Sequence, residues 1–236
     1  MSQQITTEFN GFPQEALTFF DRIRENNNKQ WFEENKPLFK EKVQAPAQEF
    51  VVALGERLAT IAPSIRYDTK LTGSGSIMRI YRDVRFSKDK SPSKTNMGIV
   101  WWEGEGKKML NPSFYFHMAH DDTWLGGGLY HFPDLDQYRR AVDDDVLGNR
   151  LVEVSEQMAS VGHSLNGDMY KRVPRGYDPD HPRAELLKMK GMTCGFSKIS
   201  DDVVMSPSLV DVCFDYCQQL LPMHQWLVAM QNMPVD

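Results

Sequence analysis

Cysteine is scarce in this chain: 236 residues contain only Cys194, Cys213 and Cys217. An odd, sparse set gives no disulfide framework and fits a reduced, cytoplasmic setting. No Cys-x-x-Cys pair and no His-Glu-x-x-His is present, so the familiar zinc signatures are missing. His117-x-x-His120 with Asp121 and Asp122 is the nearest approach to a ligand set. Its odd spacing puts the two histidines on opposite faces of a strand, so no metal site is expected. No apolar run reaches the roughly 18 to 20 residues a membrane span requires. Met1 to Asn10 is polar and lacks the apolar core of a signal peptide. Gly-x-x-x-x-Gly-Lys-Ser/Thr and Gly-x-Ser-x-Gly are absent, which removes the P-loop and nucleophile-elbow readings. There is no internal repeat, low-complexity tract or long flexible linker.

What is present is an ordinary globular composition, 41% hydrophobic and 25% charged. The net charge is -5 and the pI about 5.7, so any polyanion site must be local. One stretch inverts that balance. Between Ile77 and Lys94 stand Arg79, Arg82, Arg85, Lys88, Lys90 and Lys94, opposed only by Asp83 and Asp89. The stretch carries +4. Its loop also supplies hydroxyls (Ser87, Ser91, Ser93, Thr95) and backbone amides, the mixture phosphate oxygens need.

The chain reads as α+β, with a helical N-terminal layer over about 13–62, a mostly antiparallel sheet over about 76–131, and C-terminal helices over about 134–232. One domain over 1–236 is the simplest organisation. Pro13 suits a helix start, and Ala16, Leu17, Phe20 and Ile23 follow at helical spacing. A second helix opens near Trp31, and Pro37 and Pro46 are expected to limit it. Phe50, Leu54, Leu58 and Ile61 make a further stripe. Ile77 to Arg82, Gly98 to Trp102, Ser113 to Ala119 and Thr123 to Tyr130 have strand character, the last two joined by the His120-Asp121-Asp122 turn. Gly126-Gly127-Gly128 inside a strand marks a bulge or a close backbone approach. Further helical sets run from Leu135 to Val142 and from Leu147 to Val161. A short helix follows Pro182, and a last one starts at Ser206-Pro207, with Pro222 expected to kink or break it.

Alternation along the strands gives a site hypothesis. With Met78 and Ile80 buried beside Phe114, Phe116 and Met118, the residues Arg79, Tyr81, Tyr115 and His117 face the other way. Arg79, Arg82 and Arg85 would hold an anion, with Lys88, Lys90 and Lys94 closing over it. His117, Tyr81 or Tyr115 are the proton-transfer candidates. Arg172 and Arg175, in the proline-stiffened loop before Pro182, join the site if the fold brings them near. Asp180 or His181 is read as a helix cap. The first expectation is therefore a small anionic, phosphorylated ligand, with any reaction and cofactor open. The alternatives are a nucleic-acid module stacking on Trp101 or Trp102, and a protein-interaction module.

The run from Arg79 to Lys94 resembles the signature of a widespread family of uncharacterised bacterial and fungal proteins. Phe12-Pro13 through Trp31-Phe32-Glu33-Glu34-Asn35-Lys36, Gly126 to Tyr130, and Pro174 to Pro182 are similar to the same family. The resemblance implies a shared design across nearly the whole chain. It brings no activity and no catalytic residues.

Overall fold

A computed structural model describes residues 8–196 and 198–234. Residues 1–7 of the polar N-terminal stretch, and Ser197 at the end of the Met192–Ile199 segment, lie outside the described residues. The architecture is α+β: N-terminal helices, a five-stranded antiparallel sheet, and C-terminal helices. The strand order is β1 (Ile65–Arg66), β2 (Met97–Glu103), β3 (Ser113–Met118), β4 (Trp124–Leu129) and β5 (Met192–Gly195). The chain clusters into two compact units. The first comprises 1–101, 115–125 and 197–216; the second comprises 102–114, 126–196 and 217–236.

In the first unit, α1 (Gln14–Glu25) follows Pro13 and buries Ala16, Leu17, Phe19, Phe20 and Ile23, the face its spacing predicts. It ends in the asparagine run, and Asn28 then caps α2 (Lys29–Leu38) by accepting from the Trp31 N–H. The two prolines do not stop the helical path. Helical backbone angles continue into a π segment (Phe39–Gln44), where the Ala45 N–H reaches back five residues to Lys40, and on into α3 (Ala45–Leu58). Pro46 falls in the first turn of α3, where its missing N–H is tolerated. The stripe of α3 is buried through Leu58, while Ile61 lies past the helix and is half-exposed.

Phe12, Phe50, Phe116 and Trp101 form an aromatic core, with Phe50 5.6 Å from Trp101 and 4.9 Å from Phe116. Each such side chain stabilises by roughly 1.5–3 kcal/mol through area removed from water. Trp101 is fully buried and donates its indole N–H to the Val51 carbonyl at 3.0 Å. It cannot serve as a stacking surface for bases. On β3 the burial alternates as expected: Phe114, Phe116 and Met118 in, Tyr115 and His117 half-exposed.

Ile77–Arg82 departs from its strand expectation. It makes isolated antiparallel bridges, Ile77 with Ile99 and Tyr81 with Ser93, rather than a continuous ladder. Pro92 lies opposite and only accepts, from the Arg82 N–H at 2.9 Å, having no N–H to return. Burial here follows Ile77 and Ile80, while Met78 is half-exposed, so period two is lost.

In the second unit, Asp134 and Asp144 cap α4 (Leu135–Asp143) and α5 (Asp145–Ser160). Buried Tyr138 stacks on Phe132 and donates to the Leu186 carbonyl at 2.8 Å, with burial pushing its hydroxyl pKa up. β5 pairs with β4, Gly128 opposite Thr193. Gly128 has φ +126, and a Cβ there would lie 2.1 Å from the Met192 carbonyl oxygen. The glycine run therefore serves a close approach of backbone to backbone. The short helix α6 (Ala184–Leu187) follows Pro182 as expected.

A short helix and a long one complete the chain. α7 (Asp201–Val204) has too few residues to show periodicity, and α8 (Leu209–Gln231) continues past Pro222. Met223, Trp226, Leu227 and Met230 are all buried beyond that proline, and this packing outweighs the lost backbone hydrogen bond.

Candidate functional site

The basic stretch folds back on itself as a paired loop. Below its tip, the Arg82 N–H donates to Pro92, and the Lys94 N–H donates to Ile80 at 2.7 Å. The loop is pinned to the junction of α1 and α2 by one side chain. Asn27 donates to the Ser93 carbonyl at 2.9 Å and accepts the Ser93 N–H at 3.0 Å. This junction creates a polar cleft of about 320 Å³ lined by Arg24, Asn27, Arg82, Ser91, Lys94 and Asn96, among others. Asp89 also lines it and ion-pairs with Arg82. Arg82 and two contacts with Ser91 hold the Asp89 carboxyl well below the usual carboxylate range.

Lys94 is the anomalous cation. Burial first, and Arg79 second, push its ammonium pKa down. Neither Lys94 nor Arg79 has a carboxylate within ion-pair distance among the described residues. The neighbouring acids are already engaged: Asp83 accepts from Arg85 at 2.6 Å, and Asp89 from Arg82.

The six basic residues are thus divided. Arg82 and Lys94 line the polar cleft. Arg79 lines a second, more apolar cleft with Tyr81. Arg85 is exposed and paired with Asp83, Lys88 is exposed, and Lys90 donates to the Val84 carbonyl at 2.9 Å. Phe86, at the tip, is 96% exposed. Arg175 belongs to the second unit and lines a cleft there with Arg139, Tyr170, Lys171 and Arg172. His181 acts structurally: its ring nitrogen accepts the Arg183 N–H at 3.0 Å and its other nitrogen lies 3.1 Å from Asp143.

His117 stacks flat on Trp124, ring centroids 5.0 Å apart. Asn96 Nδ2 and the Tyr115 hydroxyl both lie 3.4 Å from its Nδ1, and Asp122 lies 3.6 Å from its Nε2. Asn96 and the Tyr115 hydroxyl can each donate to Nδ1, and the Asp122 carboxylate is nearest Nε2, an arrangement that favours a proton on Nε2. Burial lowers the His117 pKa and the Asp122 charge only partly opposes this. A neutral imidazole, reached from the cleft through Asn96, is thus available as a proton acceptor near neutral pH. Tyr81 is 51% exposed and meets Phe32 edge-on at 5.4 Å, apart from the Tyr115–His117 pair. The single polar face expected from alternation is therefore two patches.

At the β3–β4 turn, His120 lies 2.5 Å from Asp21 through Nδ1 and 3.5 Å from Asp201 through Nε2. His120, Asp121 and Asp201 offer ligand atoms within 4.8 Å of one another, a spacing that can hold a cation. Lys198, 2.8 Å from Asp121, neutralises part of that charge. This grouping differs from the His117–His120 pair weighed in the sequence, because Asp201 arrives from a distant segment. Arg24, Asn27 and Asn96 were likewise not singled out. Their only signal was the Asn26-Asn27-Asn28 run, which reads as a helix stop.

Fold and site together define an α+β protein with a cation-lined polar cleft at the end of its first helix. The chain belongs to the family of conserved hypothetical proteins DUF2461, whose model matches residues 15–226. No curated protein matches it.

Proposed function

We propose that this protein binds a small phosphorylated ligand in the cleft between the α1–α2 junction and the basic loop. Lys94 and Arg82 supply charge-assisted hydrogen bonds, while Ser91, Thr95 and Asn27 add neutral polar groups. The observation that carries this reading is Lys94 itself. A half-buried ammonium beside Arg79, without a carboxylate partner among the described residues, is an electrostatic deficit that a ligand anion would fill. His117, adjoining the cleft through Asn96, is the group best placed to accept a proton from a bound ligand, with Tyr115 beside it. The buried thiols Cys194, Cys213 and Cys217 suit a reducing, cytoplasmic compartment. Among the described residues no helix is long and apolar enough to cross a membrane.

Nucleic acid is the weaker partner. Trp101 is buried, Trp102 is only half-exposed, and Arg85 already answers Asp83.

The test is calorimetric titration with inorganic phosphate and a panel of phosphorylated metabolites, on the wild type and on Arg82→Gln and Lys94→Gln. Saturable binding that each variant weakens about tenfold or more supports the reading. Binding by neither phosphate nor any phosphomonoester, with both variants folded, sinks it.

A further inference from the structure

The second cleft in the first unit differs in chemistry from the first. It encloses about 290 Å³. Phe32, Phe39, Leu71 and Met78 supply an apolar floor. Leu71, 40% exposed, adds accessible apolar surface to the cleft. Lys36, Lys40 and Arg79 stand in the same lining. Lys36 is neutralised by Glu33 at 2.9 Å. Lys40 and Arg79 have no carboxylate within ion-pair distance among the described residues.

Arg79 is also held. Gly73, at φ +83, closes on its stem so tightly that a Cβ there would sit 2.5 Å from Arg79 Cγ. With its stem packed against Gly73, Arg79 loses less freedom on binding than a side chain in open solvent, and its planar fork matches a carboxylate. The uncharged polar lining is limited to Thr72, Gln44 and the Tyr81 hydroxyl, so a phosphate would find few further neutral donors. The volume lies at the small end of ligand sites.

We infer that this cleft is a separate binding site for a small carboxylic acid with an apolar body, either a ring or a medium-length chain. The carboxylate meets Arg79, Lys40 adds long-range attraction, and the apolar body covers Leu71, Met78 and the two phenylalanine rings. The site does not depend on the phosphate reading of the neighbouring cleft.

The test is titration calorimetry with phenylacetate and octanoate against phenylacetamide and octanamide. At least one acid is expected to bind saturably, about tenfold or more tighter than its own amide. Arg79→Gln should reduce that acid-over-amide ratio to near one. Leu71→Ser, at an exposed position that leaves the fold intact, should weaken acid and amide alike. Arg82→Gln, in the polar cleft and outside this one, should leave the acid's affinity unchanged, which separates the two sites whether or not phosphate binds. The inference is overturned by acids and amides that bind equally, by the absence of saturable binding, or by an acid preference that survives in Arg79→Gln. Loss of acid binding in Arg82→Gln would overturn the claim of separate sites.

Discussion

Lys94 shows most directly how one residue trades stability for a site. Its ammonium is disfavoured in the folded chain by burial and by Arg79, and both costs disappear when the side chain is made neutral. Lys94→Gln is therefore expected to raise the Tm of the ligand-free protein at pH 7 by about 1–4 °C while abolishing the phosphate response. A lowered Tm would mean that Lys94 has a stabilising partner in solution. The sign of the pH effect follows from the same direction. The unfolded lysine binds its proton up to a higher pH than the folded one, so Lys94 makes stability rise with pH between the folded and unfolded pKa values. His117 runs by the same logic at lower pH. Its folded pKa lies below the ordinary 6.5, chiefly through burial, so the folded form resists protonation. Stability is lost as pH falls below 6.5 through the folded pKa. His117→Asn should flatten the Tm-against-pH profile in that window, and an unchanged slope would assign the acid sensitivity elsewhere.

At the scale of elements, the loop and the β4–β5 pair each depend on one small feature. Asn27→Ala leaves the Ser93 N–H and carbonyl without their partner, in a residue that is almost wholly buried. A loss of about 1–3 kcal/mol is expected, with faster hydrogen exchange confined to the 80–94 loop. Exchange that rises equally throughout the chain would show that Asn27 supports more than this loop. Gly128→Ala meets the Met192 carbonyl at an unfavourable φ, and should cost more than about 3 kcal/mol. Gly162→Ala, at φ +82 but with open space around it, should cost only about 1 kcal/mol, and equal losses at the two positions would refute the close-approach account. These elements were legible in the sequence to different degrees. α1, β3 and the helices α4 and α5 follow from periodicity and, for α1, from Pro13, because local chemistry alone decides them; the caps Asp134 and Asp144 were not singled out. The persistence of helix past Pro37 and Pro222 was not legible. It rests on tertiary burial and on a π register, which no local rule encodes.

For the whole molecule, the +4 stretch within a chain of net charge -5 was the readable signal, and it identified the loop without dividing it. Which cations stay unanswered depends on where Asp83 and Asp89 fold, and sequence spacing does not report that. The division sets how salt should act. A small dianion in the polar cleft meets Arg82 and Lys94, with Arg24 at its margin. A small dianion carries no condensed counterion atmosphere, so its affinity should fall only shallowly with salt, through screening. A single-stranded polyanion recruiting all six basic residues of the stretch would give a slope nearer about 4, from roughly 0.7 per phosphate neutralised. The surplus negative charge elsewhere acts on the two ligands differently. It repels a long polyanion over its whole length, whereas a ligand seated within about 8 Å of Lys94 and Arg82 sits inside the screening length at physiological salt. Inorganic phosphate and a 20-nucleotide single strand, each titrated from 50 to 300 mM salt, distinguish the cases. A shallow slope for phosphate with weak oligonucleotide binding is the expected result. A steep slope, with the oligonucleotide bound more tightly than phosphate, would reassign the whole basic stretch to nucleic acid.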